Sequence, residues 1–179
     1  MNVEERAKKV RLLVMDVDGV LTDGGLFYGA EGELFKRFDV KDGHGLVICR
    51  HMGLSTAILT ARNSRIVELR GGELGIKHIL QARRDKAAGL RELLEQTGLS
   101  PEELCYIGDD INDLPVLMQV GLSACPADAR PEVLPRVHYV CKARGGHGAV
   151  RELCELLLKA QGLWDKAMAM HAGLSSEGP

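Results

Sequence analysis

The sequence predicts an α/β fold of the doubly wound kind, a parallel sheet with helices on both faces. Three observations carry that expectation. Strand-length apolar runs alternate with helix-length amphipathic segments. Polar side chains with chemical capacity recur directly after those runs, where open parallel sheets collect their chemistry. The 179 residues, 45% apolar and 27% charged, contain no internal repeat and no low-complexity linker, so one domain over 1–179 with a sizeable core is expected.

The first strand, Leu12-Leu13-Val14-Met15, runs straight into Asp16-Val17-Asp18 and breaks at Gly19. In an extended chain acids at i and i+2 point to opposite faces, but here the chain is leaving the strand, which lets Asp18 swing back over the pocket of Asp16. Two aromatic-bearing runs then flank Gly29-Ala30-Glu31-Gly32, the pattern of a β-hairpin flap over about 24–39. A lone hairpin is marginal in water, so this one is expected to pack near the acids, on its own subunit or on a neighbour.

A helix through about Met52 follows, with Asp42 as its expected N-cap. Ser55 to Leu59 reads as a second buried strand ending in Thr60-Ala61-Arg62-Asn63-Ser64, with Thr60 as the cap of a helix to about Gly72 that carries Arg62 and Arg70. Ile76 to Leu80 is a third strand, and Asp85-Lys86 opens a helix with Leu90, Leu93 and Leu94 on its apolar face. Ser100-Pro101-Glu102-Glu103 has the form of a helix start. Leu104 to Ile107 is a further strand, which ends in Gly108-Asp109-Asp110-Ile111-Asn112-Asp113. Two short strands, Gly121 to Ala124 and Val137 to Val140, precede Gly145-Gly146-His147-Gly148 and a last long helix over about 149–160. A loosely ordered tail is expected over about 162–179.

A net charge of −2 gives no electrostatic reason to expect nucleic acid or an anionic membrane, and an anionic substrate would need a local positive pocket. The five cysteines are scattered, mostly inside apolar runs, with no Cys-x-x-Cys, which reads as reduced core thiols and a cytoplasmic protein. No apolar stretch approaches membrane-spanning length. The histidines show no metal-ligand spacing, and His147 reads as a loop residue.

Asp16, Asp18, Thr60, Lys86 and Asp109 thus fall at one edge of one sheet. Paired acids suit a hard cation such as Mg²⁺, one of them free to attack and the other to move protons. With Lys86 and the backbone N–H groups after Asp16 and Thr60, such a site can neutralise the oxygens of a phosphoryl group. Neither Gly-x-x-x-x-Gly-Lys nor Gly-x-Gly-x-x-Gly is present. Asp113 reads equally as an orienting group for Lys86, a partner of a metal-bound water or a surface acid, and Asp110 is as open.

Asp-x-Asp-Gly, a strand ending in Thr, a Lys at a helix start and Gly-Asp-Asp-x-x-Asp, in this order, resemble the four motifs of the haloacid dehalogenase-like phosphatases. Over about 11–161 the likeness is to the branch acting on 3-deoxy-D-manno-octulosonate (KDO) 8-phosphate in lipopolysaccharide biosynthesis. It rests on Asp16 to Gly24, the hairpin, Asp39 to Gly43, Ile58 to Arg62, Pro126 to Ala129 and Gly145 to Glu152. The resemblance implies a core without a large cap domain, with Asp16 as nucleophile forming an aspartyl phosphate and Asp18 as acid and base. It also implies Mg²⁺ held by Asp16, the Asp18 carbonyl and Asp109, with Thr60 and Lys86 on the phosphoryl oxygens. Substrate contacts carry over to Asp18, Asp39, Val40, Lys41, Asp42, Gly43, Arg62, Arg70 and Lys86, the arginines suiting a carboxylate. A homotetramer in which hairpin and C-terminal tail close a neighbour's site is implied as well.

Three positions depart from that pattern: Val47 in place of a substrate-contacting Arg, His147 in place of an Arg, and Ala61 in place of a Gly. Two alternatives therefore stand beside it, a phosphatase for a nine-carbon sialic-type sugar 9-phosphate and a catalytically idle tetramerisation module.

Overall fold

The computed structural model describes residues 1–173. A short helix α1 (Val3–Ala7) leads into β1 (Leu12–Met15), buried at all four positions. Strands β2 (Phe27–Gly29) and β3 (Gly32–Phe35) form the antiparallel hairpin, and α2 (Val40–His51) follows. Next come β4 (Ser55–Leu59), α3 (Arg65–Leu74), β5 (His78–Leu80), α4 (Lys86–Thr97), β6 (Leu104–Ile107) and α5 (Leu114–Leu117). Then follow β7 (Leu122–Cys125), β8 (Tyr139–Val140), α6 (Ala149–Ala160) and α7 (Trp164–His171).

The six long-range strands pair in the order β5-β4-β1-β6-β7-β8, every pair parallel. Alternation along β1 explains the two layers. Leu13 and Met15 join a cluster with residues of α1, α2, α3, α6 and α7, while Leu12 and Val14 join one with Leu90 and Leu93 of α4 and Val116 and Leu117 of α5. A strand covered on both faces has little room for polar side chains, which is why β1 and β6 read as apolar runs and the one serine of β7, Ser123, is bonded to His138. From β1 the chain builds outward to β4 and β5, then returns to the other side at β6. That reversal makes the carboxyl ends of β1, β4 and β6 the topological switch point, where such sheets leave a crevice.

Several local expectations are corrected. The N-cap of α2 is Asp39, whose extended backbone lets its carboxylate accept from the Lys41 and Asp42 amides. Asp42 is turned inward and accepts from the Gly148 and Arg151 amides, so it caps α6 instead. Ser64, not Thr60, precedes α3, and Arg62 lies in the loop before that helix, so Arg62 and Arg70 do not share it. Ser100 to Glu103 closes a capping box on a single 3₁₀ turn, because Leu104 is already extended into β6. The stretch expected as a loose tail carries α7: Gly162, at φ +69°, turns the chain back, Ala167 is buried, and Trp164 lies under Arg151 and Lys159. Residues 174–179 of that tail lie outside the described residues. All five cysteines are buried and unbridged, as their apolar settings imply.

Candidate active site

Each polar group at the switch point is fixed by the strand that delivers it. The Asp16 amide donates to the Ile107 carbonyl at 3.1 Å, which binds the end of β1 to the end of β6. Its carboxylate accepts from the Val17 amide at 2.7 Å and lies 2.6 Å from the Lys86 ammonium. Lys86 is the first residue of α4, held at that place by Asp85, whose carboxylate caps the Ala88 amide. The same ammonium donates to Asp113 at 2.5 Å and to the Tyr106 hydroxyl at 3.3 Å.

Asp113 settles its own role. One carboxylate oxygen takes Lys86 and the Tyr106 hydroxyl, and the other takes the amides of Asp109 and Asp110 at 3.0 and 3.2 Å. It is fully buried with both oxygens occupied, an orienting group for Lys86 and for the loop that presents Asp109. Gly19 makes room for the Asp109 carboxylate: a Cβ there would sit 2.2 Å from its oxygen, and φ at +86° is already a glycine conformation.

Three acids crowd around one ammonium, and Asp16 and Asp109 are shifted in that setting. Burial, with Asp113 and Asp16 nearby, pushes the Asp109 carboxyl up to about 7. Burial also raises Asp16, to about 6, against the opposing pull of Lys86. Lys86 is held above its usual range because Asp16 and Asp113 outweigh the cost of its burial. Ligand oxygens of Asp16, Asp109 and Asp113 lie within 4.8 Å of one another. An all-carboxylate donor set with excess negative charge fits a hard divalent cation, and with Asp113 saturated the oxygens free to bind one belong to Asp16 and Asp109.

The crevice above them encloses about 200 Å³, lined by Asp16, Asp18, Thr60, Ala61, Arg62, Asp109, Asp110 and Asn112. The hairpin closes one side. Asp18 pairs with Lys36 of the hairpin arm at 2.5 Å and with Arg62 at 3.3 Å. Glu33 of β3 accepts from the Ser64 hydroxyl and pairs with Lys36 at 3.0 Å and Arg62 at 3.4 Å. Burial alone would raise its carboxyl, but the bonds from Ser64 and Lys36 hold it below the usual range. Tyr28 of β2 accepts from Arg62 at 2.5 Å, so the flap lies against the site of its own chain.

A profile of the haloacid dehalogenase-like hydrolases matches residues 54–153. The KDO 8-phosphate phosphatase KdsC of Escherichia coli K12 is 45% identical over 166 residues, 93% of this chain and 88% of that protein. The chain belongs to the haloacid dehalogenase-like hydrolases. Among solved structures, the KDO 8-phosphate phosphatase of Yersinia pestis superposes with a TM-score of 0.89 at 45% identity, covering 91% of this chain and 88% of that one. The Moraxella catarrhalis enzyme, in complex with a magnesium ion, a phosphate ion and KDO, gives 0.91 at 39% identity, covering 94% of this chain and 97% of that one.

In this haloacid dehalogenase-like hydrolase the rim gathers Asp16, Asp18, Thr60, Arg62, Lys86 and Asp109. Asp39 to Gly43 and Arg70 gather elsewhere, around the start of α2: Arg70 stacks over Phe38, pairs with Glu73, and approaches so closely that a Cβ on Gly43 would meet its guanidinium at 2.3 Å. Val47 packs on the core, and His147 is exposed beside two glycines that rest on the loop after β1. Tyr106, Lys36 and Glu33 were not singled out from the sequence. A tyrosine inside a run buried on both faces was the available signal, since its hydroxyl needs a buried partner.

Proposed function

We propose that the chain is a Mg²⁺-dependent phosphatase that hydrolyses KDO 8-phosphate to the free sugar acid and phosphate. The observation that carries this reading is 45% identity, over 93% of the chain, to a phosphatase of that name, together with the acids, threonine and lysine meeting at one rim. The Asp16 and Asp109 carboxylates, with the Asp18 carbonyl, would hold Mg²⁺, which would supply charge neutralisation at the phosphoryl oxygens.

Asp16 is the nucleophile. Its carboxylate oxygen, aimed by the Val17 amide and Lys86, attacks phosphorus while the bond to the sugar's O8 breaks, giving an aspartyl phosphate. Asp18 donates a proton to the departing alkoxide, then takes one from the water that attacks phosphorus and frees Asp16. Thr60 binds a phosphoryl oxygen, and Lys86, kept charged by Asp113, binds another by releasing its bond to Asp16 or Tyr106, since all three of its N–H groups are otherwise taken. Arg62 grips the sugar's carboxylate. Asp39 to Gly43 and Arg70 do not line this crevice, and the proposal assigns them to substrate contact in a homotetramer in which each site is completed by a neighbour. Exposed Phe35, Val40 and Leu34 on and beside the hairpin suit such a contact. Among the described residues no helix is long and apolar enough to cross a membrane, and a cytoplasmic site of action is part of the proposal.

Phosphate release from a substrate panel tests the reading. KDO 8-phosphate is expected to give the highest kcat/KM and EDTA to abolish turnover. Preference for a nine-carbon sialic-type 9-phosphate, the reading that Val47 leaves open, would replace the substrate. Failure on every sugar phosphate by an intact tetramer would leave an idle assembly module.

A further inference from the structure

Four charged groups where the flap meets the site pair with one another. Asp18 and Glu33 face Lys36 and Arg62, two negative charges against two positive. The Lys36 side chain is 2% exposed and the Glu33 side chain 16%, so their pair is shielded from water, while Arg62 at 34% stays within reach of an arriving ligand. Glu33 presents to Arg62 the same chemistry that a sugar acid presents, a carboxylate on a guanidinium. Arg62 has capacity left: its buried Nε, 3.3 Å from Asp18, makes no hydrogen bond. An arriving carboxylate competes with Glu33 for that guanidinium, and while Asp18 is still ionised it makes three negative charges against two positive ones.

We infer that Glu33 is a gate for the substrate's carboxylate: it occupies Arg62 in the free enzyme and yields it to an acidic substrate. This rests on the reading of the rim as a phosphatase site for acidic sugars. Displaced from Arg62, Glu33 keeps its bonds to Ser64 and Lys36, so the hairpin stays seated while the guanidinium changes partners. Competition of this kind sets how strongly a carboxylate is required of the substrate, and it makes Glu33 a selectivity residue on the hairpin.

Two measurements on Glu33→Gln test this. With KDO 8-phosphate and p-nitrophenyl phosphate, which carries no carboxylate, the ratio of kcat/KM in favour of the acidic substrate should rise about tenfold through a lower KM, as expected when a charged competitor for a guanidinium is neutralised. In calorimetry, the free sugar acid without phosphate should bind the variant about tenfold more tightly than the parent, a readout independent of turnover. Glu33→Asp should stay near the parent, and Ser64→Ala, which loosens Glu33 from the other side, should shift the ratio less. An unchanged or falling ratio, with unchanged affinity for the free acid, overturns the gate. Tighter binding of the acid by an enzyme that hydrolyses neither ester would keep the gate and overturn the phosphatase reading.

Discussion

Asp16→Asn is expected to reduce phosphate release from KDO 8-phosphate by at least ~10³-fold while leaving the fold intact. An amide keeps the shape of the carboxylate, but its single acceptor oxygen can serve the Val17 amide or Lys86, not both. Nor can an amide act as a nucleophile or carry the charge that a cation needs. Neutralising one of three acids crowded around a single ammonium also relieves repulsion, so thermal stability is expected to hold or rise without added metal. A variant that is stable but inactive separates chemistry from folding. Retained turnover would remove Asp16 from the nucleophile's role.

Lys86→Met is expected to be costly twice over. The ammonium is fully enclosed and serves Asp16 and Asp113 together, and its loss leaves buried carboxylates facing one another with no counter-charge. Breaking a buried pair from one side costs about 3–5 kcal/mol. For a chain of this size that is a fall in Tm of roughly 6–20 °C, alongside loss of turnover. Methionine fills similar volume, so the deficit reports charge and not a cavity. A Tm within about 2 °C of the parent would mean that the acids are neutralised in some other way.

The frame of the molecule was legible because both-face burial writes itself as continuous apolar runs. β1, β4 and β6 follow from that pattern alone, and the acids after β1 and β6 follow from the break in it. What escaped depends on contacts between distant segments. Asp39 and Asp42 are both acids near the start of α2, and local pattern does not tell which one caps it. Asp42 is drawn inward by the amides of Gly148 and Arg151, more than a hundred residues away. Glu33 and Lys36 read as ordinary hairpin charges until the flap is seen folded onto Asp18 and Arg62. Helix α7 was hidden by the small-residue composition around it, although Trp164 and Ala167 anchor it. Spacing alone puts Arg62 and Arg70 on one helix, but that helix starts at Arg65, so Arg62 lies in the loop before it.

Anomalous diffraction from crystals soaked in Mn²⁺, a stand-in for Mg²⁺ with the same taste for oxygen, tests the shared-cation site most directly. A single strong peak bridging the carboxylates of Asp16 and Asp109, beside the Asp18 carbonyl and clear of Asp113, is the expected result. A peak at another acidic cluster, or none at the rim in crystals of active protein, would contradict it.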